Sequence, residues 1–109
     1  GRVIAVPNQT LSGATQKSPR IGWSALQPSD AEVGWQHTLL QDNHPGEAAY
    51  LVHSFMAVPI DPAHRIADCL YGGHKIAATI GQNQITGCQF HPEKSGEVGL
   101  KILRRFCAD

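Results

Sequence analysis

The sequence is short of cysteines and of long apolar runs, and each shortage excludes a class of protein. Its three cysteines, Cys69, Cys88 and Cys107, lie far apart and form no Cys-x-x-Cys pair. They therefore fit neither a disulfide framework nor a structural zinc site, and they indicate a reducing compartment. No stretch is long and apolar enough for a signal peptide or a membrane-spanning helix. These absences predict a soluble, cytoplasmic protein.

An excess of either charge is also missing. Nine basic and nine acidic residues give a formal net charge of zero, and no run of five like charges occurs. A protein that binds nucleic acid or acidic membranes usually carries a basic patch or stripe. The composition therefore predicts no nucleic acid and no membrane as partner, and favours a small molecule or another protein.

The length and the apolar pattern predict the fold. With 109 residues the chain has the size of one small domain. Apolar periodicity predicts an α/β protein with a mixed, mostly β sheet and a carboxy-terminal helix. Strands are predicted at residues 2–6, 20–26 (opened by Pro19), 48–55, 65–71, 74–80 and 84–90, with a polar loop at 8–18. Residues 46–58 are the most apolar region, and residues 48–55 within it are predicted to form a central strand buried on both faces.

Two helices and a hairpin complete the predicted elements. Residues 95–107 have apolar side chains at helical spacing, with Ser95 as the cap and acidic and basic residues at the matching ends. One face, with Val98, Ile102, Leu103 and Phe106, is expected to pack on the sheet. A short helix is expected at residues 31–41. Gly72-Gly73 suits the left-handed angles of a tight hairpin.

The tripeptide His91-Pro92-Glu93 follows a strand and precedes a helix, where α/β proteins place ligand-facing groups. Residues two apart on an extended backbone point the same way, so Glu93 can accept a hydrogen bond from one imidazole nitrogen while the other faces a reactant. This is the arrangement of a base and its orienting carboxylate. For a bare His-Pro-Glu tripeptide, a surface pair at the end of a strand remains the alternative.

Longer strings around this tripeptide resemble a known family. Residues 87–95, Gly-Cys-Gln-Phe-His-Pro-Glu-Lys-Ser, resemble the carboxy-terminal signature of class I glutamine amidotransferases. Residues 18–24, Ser-Pro-Arg-Ile-Gly-Trp-Ser, and residues 50–55, Tyr-Leu-Val-His-Ser-Phe, are similar to segments of the glutaminase subunits of imidazole glycerol phosphate synthases. Order and spacing agree over nearly the whole chain. Arg20 and Ser24 replace the histidine and asparagine usual in that family.

The resemblance implies glutamine hydrolysis through a cysteinyl thioester, with ammonia passed to a synthase (cyclase) subunit in histidine biosynthesis. It makes His91 the general base and gives Glu93 the task of holding the right imidazole tautomer. It also suggests further residues that line the site or face the synthase partner: Lys94, Tyr50, His53, Ser54 and Trp23. The alternatives are core or rim positions for the aromatics, a solvated charge for the lysine and simple strand packing for the histidine.

The nucleophile of the family does not occur in these residues. No Gly-x-Cys-x-Gly turn and no oxyanion-binding loop is present. Cys88 precedes His91 by three residues, and odd separations on a strand point to opposite faces, so Cys88 should lie in the core with Phe90. Cys69 and Cys107 are expected to be buried and inert. We therefore predict that the chain has no nucleophile and, alone, no glutaminase activity.

Metal ions and other cofactors are not expected either. The six histidines fall in different predicted elements, and no pair has the His-x-x-x-His spacing that places two ligands on one helical face.

Two hypotheses about function follow. In the first, residues 1–109 are the carboxy-terminal half of a glutamine amidotransferase, truncated relative to the family. They are either completed by another chain that binds glutamine with them or are a fragment of a longer chain. In the second, the half-domain is a non-catalytic module that pairs with a copy of itself through an exposed sheet edge, giving a homodimer.

Overall fold

The computed structural model describes residues 1–16, 18 and 20–108, so Pro19, expected to open the second strand, lies outside the described residues. The strands are β1 (Arg2–Ala5), β2 (Arg20–Ala25), β3 (Gln27–Pro28), β4 (Ala48–His53), β5 (Phe55–Val58), β6 (Arg65–Tyr71), β7 (His74–Gln82) and β8 (Ile85–Cys88). Two 3-10 turns, Pro62–His64 and Pro92–Lys94, precede β6 and the α-helix α1 (Gly96–Ala108), respectively. The prediction of a mostly β protein with a carboxy-terminal helix is confirmed.

The described strands pair antiparallel in three sheets. β1 pairs with β5, β2 pairs with β4, and β3, β6, β7 and β8 form a four-stranded sheet in that order. One core joins the sheets and the helix. Its buried apolar residues are Val6, Leu26, Trp35, Leu40, Ala49, Leu51, Met56, Ala67, Cys69, Ile76, Ala78, Phe90 and Ile102. Because these residues come from different sheets, the core fixes how the strands that carry the site lie on one another.

The hairpin between β6 and β7 forms as predicted. Gly72 and Gly73 have φ angles of 60° and 86°, and the strands pair outward from Tyr71 and His74. Two consecutive left-handed residues make the turn whose twist matches that of the flanking strands. Glycine takes these angles without steric cost.

The helix predicted at residues 31–41 does not form, and the segment is a series of turns. Gly34 and His37 have φ angles of 66° and 64°, which interrupt a right-handed helix because such a helix needs φ near −60° throughout. Trp35 and Leu40 are nevertheless buried, and the Trp35 Nε1–H donates to the Ile66 carbonyl at 3.0 Å. The prediction of a helix here was wrong, although Trp35 and Leu40 of this segment belong to the core.

The single strand predicted at residues 48–55 is divided at Ser54 and is not buried on both faces. β4 before the break pairs with β2, and β5 after it pairs with β1. Along β4 the burial alternates, with Leu51 buried and Val52 40% exposed. Antiparallel ribbons commonly leave one face to water, which is why a continuous apolar run misled the prediction here.

Helix α1 forms close to its predicted position, but its apolar face is only partly covered. Ile102 is buried, whereas Leu103 is partly exposed and Phe106 is 62% exposed. Ser95, expected to cap the helix, instead bonds through its hydroxyl to the backbone of Tyr50 and His91. Within the described part of the chain, no helix is long and apolar enough to cross a membrane.

Candidate active site

His91, Pro92 and Glu93 form the turn that leads from β8 to α1. His91 keeps an extended backbone with φ −102° and ψ 102°, and Pro92 begins a 3-10 turn that ends at Lys94. Proline fits the first position of a helical turn because its φ is already fixed and its missing N–H would have no partner there. The sequence therefore ends the strand at a defined residue and presents the His91 side chain at the edge of the sheet.

The imidazole of His91 and the carboxylate of Glu93 lie in contact. His91 Nδ1 and Glu93 Oε1 are 3.2 Å apart, and the two side chains are 43% and 59% exposed. An exposed pair contributes little to stability because water screens it. It can still set the tautomer, since a proton on Nδ1 leaves the lone pair on Nε2. Among the described residues, Nε2 has no hydrogen-bond partner and is open to a reactant.

The turn is held by packing from the helix side. Gly99 is buried in the first part of α1, and a Cβ atom at this position would overlap the carbonyl oxygen of Pro92. The backbone of the turn therefore lies directly on the backbone of the helix. This close approach fixes the position of the Pro92 backbone relative to α1.

Tyr50 and Trp23 are brought next to this turn, and Lys94 is part of it. The Tyr50 carbonyl accepts a hydrogen bond from the His91 N–H at 3.2 Å. Trp23 is the register partner of Tyr50 across β2 and β4, and their ring centroids are 5.7 Å apart. Trp23 is 58% exposed, so it is not a core aromatic, and Lys94 is exposed at the end of the turn.

His53 and Ser54 lie elsewhere on the same ribbon. His53 is buried on the core-facing side of β4. It follows Tyr50 by three positions, so the two side chains point to opposite faces of the strand. Its Nδ1 is 2.9 Å from the Phe55 carbonyl, so this nitrogen carries the proton. Nε2 is buried without a partner among the described residues. Ser54 marks the break between β4 and β5, where its carbonyl accepts from the Val6 N–H. His53 thus packs within the strand in this structure.

Stability is expected to decrease as the pH falls below about 6.5 because of His53. Burial holds its pKa below the ordinary 6.5, only partly opposed by the Phe55 carbonyl, and the charge of Arg20 lowers it further. The unfolded chain then binds more protons than the folded chain. Urea unfolding at about pH 7.5 and about pH 5.5 should show this loss, and His53→Gln should reduce it. The carboxyl groups of Asp42 and Glu47 also have lowered pKa values, and they change the stability at lower pH than His53 does. An undiminished loss in His53→Gln would assign the dependence to other groups.

The cysteines differ in their surroundings. Burial raises the pKa of the Cys69 thiol, although the Arg20 guanidinium lies 3.1 Å from its sulfur and acts in the opposite direction. Burial also raises the pKa of Cys88, which packs against the core. Both thiols therefore resist forming the thiolate that a nucleophile requires. The expectation that Cys107 is buried was wrong, since it lies exposed in the last turn of α1, beyond the covered part of the helix.

Three features of the site were missed by sequence reasoning. Arg20, one of the departures from the family pattern, is buried; it donates to the Leu70 carbonyl and lies over the Tyr71 ring at 4.9 Å. The close contact of Gly99 with Pro92 and the hydrogen bonds of Ser95 link residues from different structural elements. A glycine within a helix is nevertheless a sequence signal of close packing.

In the part of the chain that the structure describes, no cluster of His, Cys, Asp and Glu could hold a metal ion.

A histidine bonded to a carboxylate at a strand-to-helix turn is the base-and-orienter arrangement of hydrolases that use a nucleophile. Residues 4–109 match the sequence profile of the family "Glutamine amidotransferase class-I", and the chain belongs to this family.

Within the family the chain is similar to proteins named imidazole glycerol phosphate synthase subunit HisH. HisH 1 of Legionella pneumophila is 46% identical over 106 residues, which are 97% of this chain and 50% of the relative. HisH of Prochlorococcus marinus is 36% identical over 109 residues, covering 100% of this chain and 49% of the relative. HisH of Lactococcus lactis is 43% identical over 91 residues, covering 84% and 42%. The chain spans about half the length of the curated relatives it matches.

Proposed function

We propose that residues 1–109 are the carboxy-terminal half of a class I glutamine amidotransferase domain and supply the histidine and glutamate of its Cys-His-Glu triad. The reaction is glutamine hydrolysis, with ammonia delivered to a synthase (cyclase) subunit in histidine biosynthesis. The observation that carries the proposal is the 3.2 Å contact between His91 Nδ1 and Glu93 Oε1, with Nε2 open. The similarity to HisH proteins over 97% of the chain supports the choice of pathway.

In this scheme His91 Nε2 takes the proton of a cysteine thiol that residues outside this chain supply. The thiolate attacks the side-chain amide carbon of glutamine, and the protonated His91 gives its proton to the departing ammonia. His91 then activates a water molecule that hydrolyses the thioester and releases glutamate. Glu93 keeps the Nδ1 proton in place and stabilises the imidazolium in each half of the cycle.

The test of this proposal is to assemble a glutaminase from two chains. Ammonia release from glutamine is measured for this chain, for a separately expressed amino-terminal half of the Legionella relative, and for their mixture. We expect activity in the mixture only, because each half lacks part of the triad. Mutual binding of the two halves is recorded by light scattering in the same samples.

Trp23, Tyr50 and Lys94 are proposed to form the face that meets the cyclase subunit. The support is their position beside His91 and the exposure of the large Trp23 ring, which is the type of residue that dominates interface energies. Trp23→Ala should weaken binding of the assembled glutaminase to the cyclase subunit by about tenfold or more. Titration calorimetry checks this, with the exposed Ile60→Ala as control. Equal losses in both variants would contradict the assignment.

A second candidate is the self-associating module. Ile21, Trp23 and Val52 share the outer face of the β2–β4 ribbon, and all three are exposed large apolar side chains. Such a face can be covered by a second copy of the chain. Light scattering that shows a stable dimer of this chain, together with no activity in the mixture of halves, would favour this candidate over the first.

A further inference from the structure

Ser95 is buried, with 1% of its surface exposed, and its hydroxyl joins two segments of the chain. Its Oγ–H donates to the His91 carbonyl at 2.6 Å, and its Oγ accepts from the Tyr50 N–H at 3.1 Å. The His91 N–H in turn donates to the Tyr50 carbonyl at 3.2 Å. These three bonds close a ring through Tyr50, His91 and Ser95, and both backbone groups of Tyr50 and both of His91 take part in it.

This ring of hydrogen bonds lies on the edge of β4 that does not face β2. Tyr50 is opposite Trp23 in the register of β2 and β4, yet its N–H and C=O bond to residues 91 and 95. In an antiparallel pair, alternate residues direct both backbone groups away from the partner strand, and their side chains then approach more closely. Tyr50 is such a residue, which agrees with the contact between its ring and that of Trp23. Tyr50 therefore contacts Trp23 through its aromatic ring and the His91 turn through its backbone.

We propose that Ser95 is a positioning residue for His91, and that its hydroxyl makes the Tyr50 backbone and the His91 turn one rigid unit. The inference rests on the proposed function, because it gives a role to Ser95 only if His91 is the base. Removing the hydroxyl leaves the Tyr50 N–H without this partner, whereas the His91 carbonyl keeps its bond from the Lys94 N–H. The turn then loses one of its two ties to β4. The Trp23–Tyr50 face, which the proposed function assigns to the cyclase subunit, is thereby connected to the base through the backbone.

A helix cap is the other reason for a serine at this position. A capping hydroxyl accepts a hydrogen bond from an N–H in the first turn of its own helix. The Ser95 hydroxyl instead donates backward to residue 91 and accepts from a strand 45 residues away. The geometry therefore fits a tie between the turn and β4 rather than a cap of α1.

The first test compares Ser95→Ala, Ser95→Thr and Ser29→Ala in the mixture of this chain with the amino-terminal half. Ser29 is the matched control because its Oγ is also buried but has no hydrogen-bond partner among the described residues. We expect Ser95→Ala to lower kcat by about 10- to 100-fold with KM changed less than about twofold, since a base displaced by about 1 Å costs about that much. Ser95→Thr keeps the hydroxyl and should recover part of the loss. Ser29→Ala should leave kcat near the wild-type value.

The second test uses the chain alone and does not depend on activity. Amide hydrogen exchange of Tyr50 should be slow in the wild type, as slow as that of Leu51, whose backbone faces β2. Ser95→Ala should accelerate exchange at Tyr50 far more than at Leu51. A rapidly exchanging Tyr50 amide in the wild type would overturn the positioning role even if no variant folds. Unchanged kcat or unchanged Tyr50 exchange in Ser95→Ala would overturn it as well. If no mixture is active, the proposed function fails, and exchange alone decides whether Ser95 holds the turn.

Discussion

Replacing His91 with alanine is expected to reduce ammonia release by the assembled glutaminase by about 10⁴-fold or more. Nε2 of His91 is open, while Nδ1 lies 3.2 Å from Glu93. In the proposed reaction this imidazole accepts the thiol proton and returns it to ammonia. Without it, both proton transfers must use water. The rate is measured as ammonia formed from glutamine with both halves at saturating concentrations.

The matched control for this variant is His44→Ala, which removes an exposed loop histidine. It should leave the rate within about twofold, because it lies outside the triad scheme. Glu93→Gln should give a rate between those of His91→Ala and His44→Ala. The amide oxygen can still accept from Nδ1–H but carries no charge to stabilise the imidazolium. Activity in His91→Ala close to that of His44→Ala would remove His91 from the mechanism.

Gly99→Ala is expected to lower the free energy of unfolding by about 1–3 kcal/mol, the range for an overpacked site. Glycine to alanine inside a helix ordinarily has the opposite effect, a gain of about 1 kcal/mol. The sign reverses here because the added Cβ would overlap the Pro92 carbonyl oxygen, which is backbone and has little freedom to move. Urea unfolding followed by circular dichroism measures the change.

The control for Gly99→Ala is Arg104→Ala, which also places alanine in α1 but at an exposed position. Its stability should change by less than about 0.5 kcal/mol. Gly99→Ala should also lower the rate of the assembled enzyme, because a displaced Pro92 moves His91 relative to Glu93. A Gly99→Ala variant that is more stable than the wild type would show that the helix and the turn are not in close contact.

Local sequence signals predicted the elements that depend on neighbouring residues. The hairpin at Gly72-Gly73 and helix α1 follow from turn chemistry and apolar spacing within a few residues. The segment at residues 31–41 could not be predicted in this way. Its Trp35 and Leu40 are placed by contacts with distant strands, and the left-handed backbone of His37 has no signal in the residue type beyond a mild preference.

In the candidate site, too, some features could be predicted from local sequence and others could not. The contact of His91 with Glu93 follows from a spacing of two residues and a proline between them, so the sequence alone predicted it. The ties that hold the turn join Ser95 to Tyr50, and these depend on how β4 lies beside α1 in the folded chain. No local pattern encodes that distance. The family resemblance suggested that Tyr50 and Trp23 face the synthase partner, whereas their contacts with each other and with the His91 turn follow only from the folded structure.

The most direct test of the central proposal is ammonia release from glutamine by the two halves, separately and mixed. Our account predicts no turnover by either half alone, turnover by the mixture, and loss of that turnover when the mixture contains His91→Ala. Turnover by the 109-residue chain alone would contradict it, because these residues would then hold a nucleophile that we have not recognised. An inactive mixture of halves that bind each other would contradict it equally.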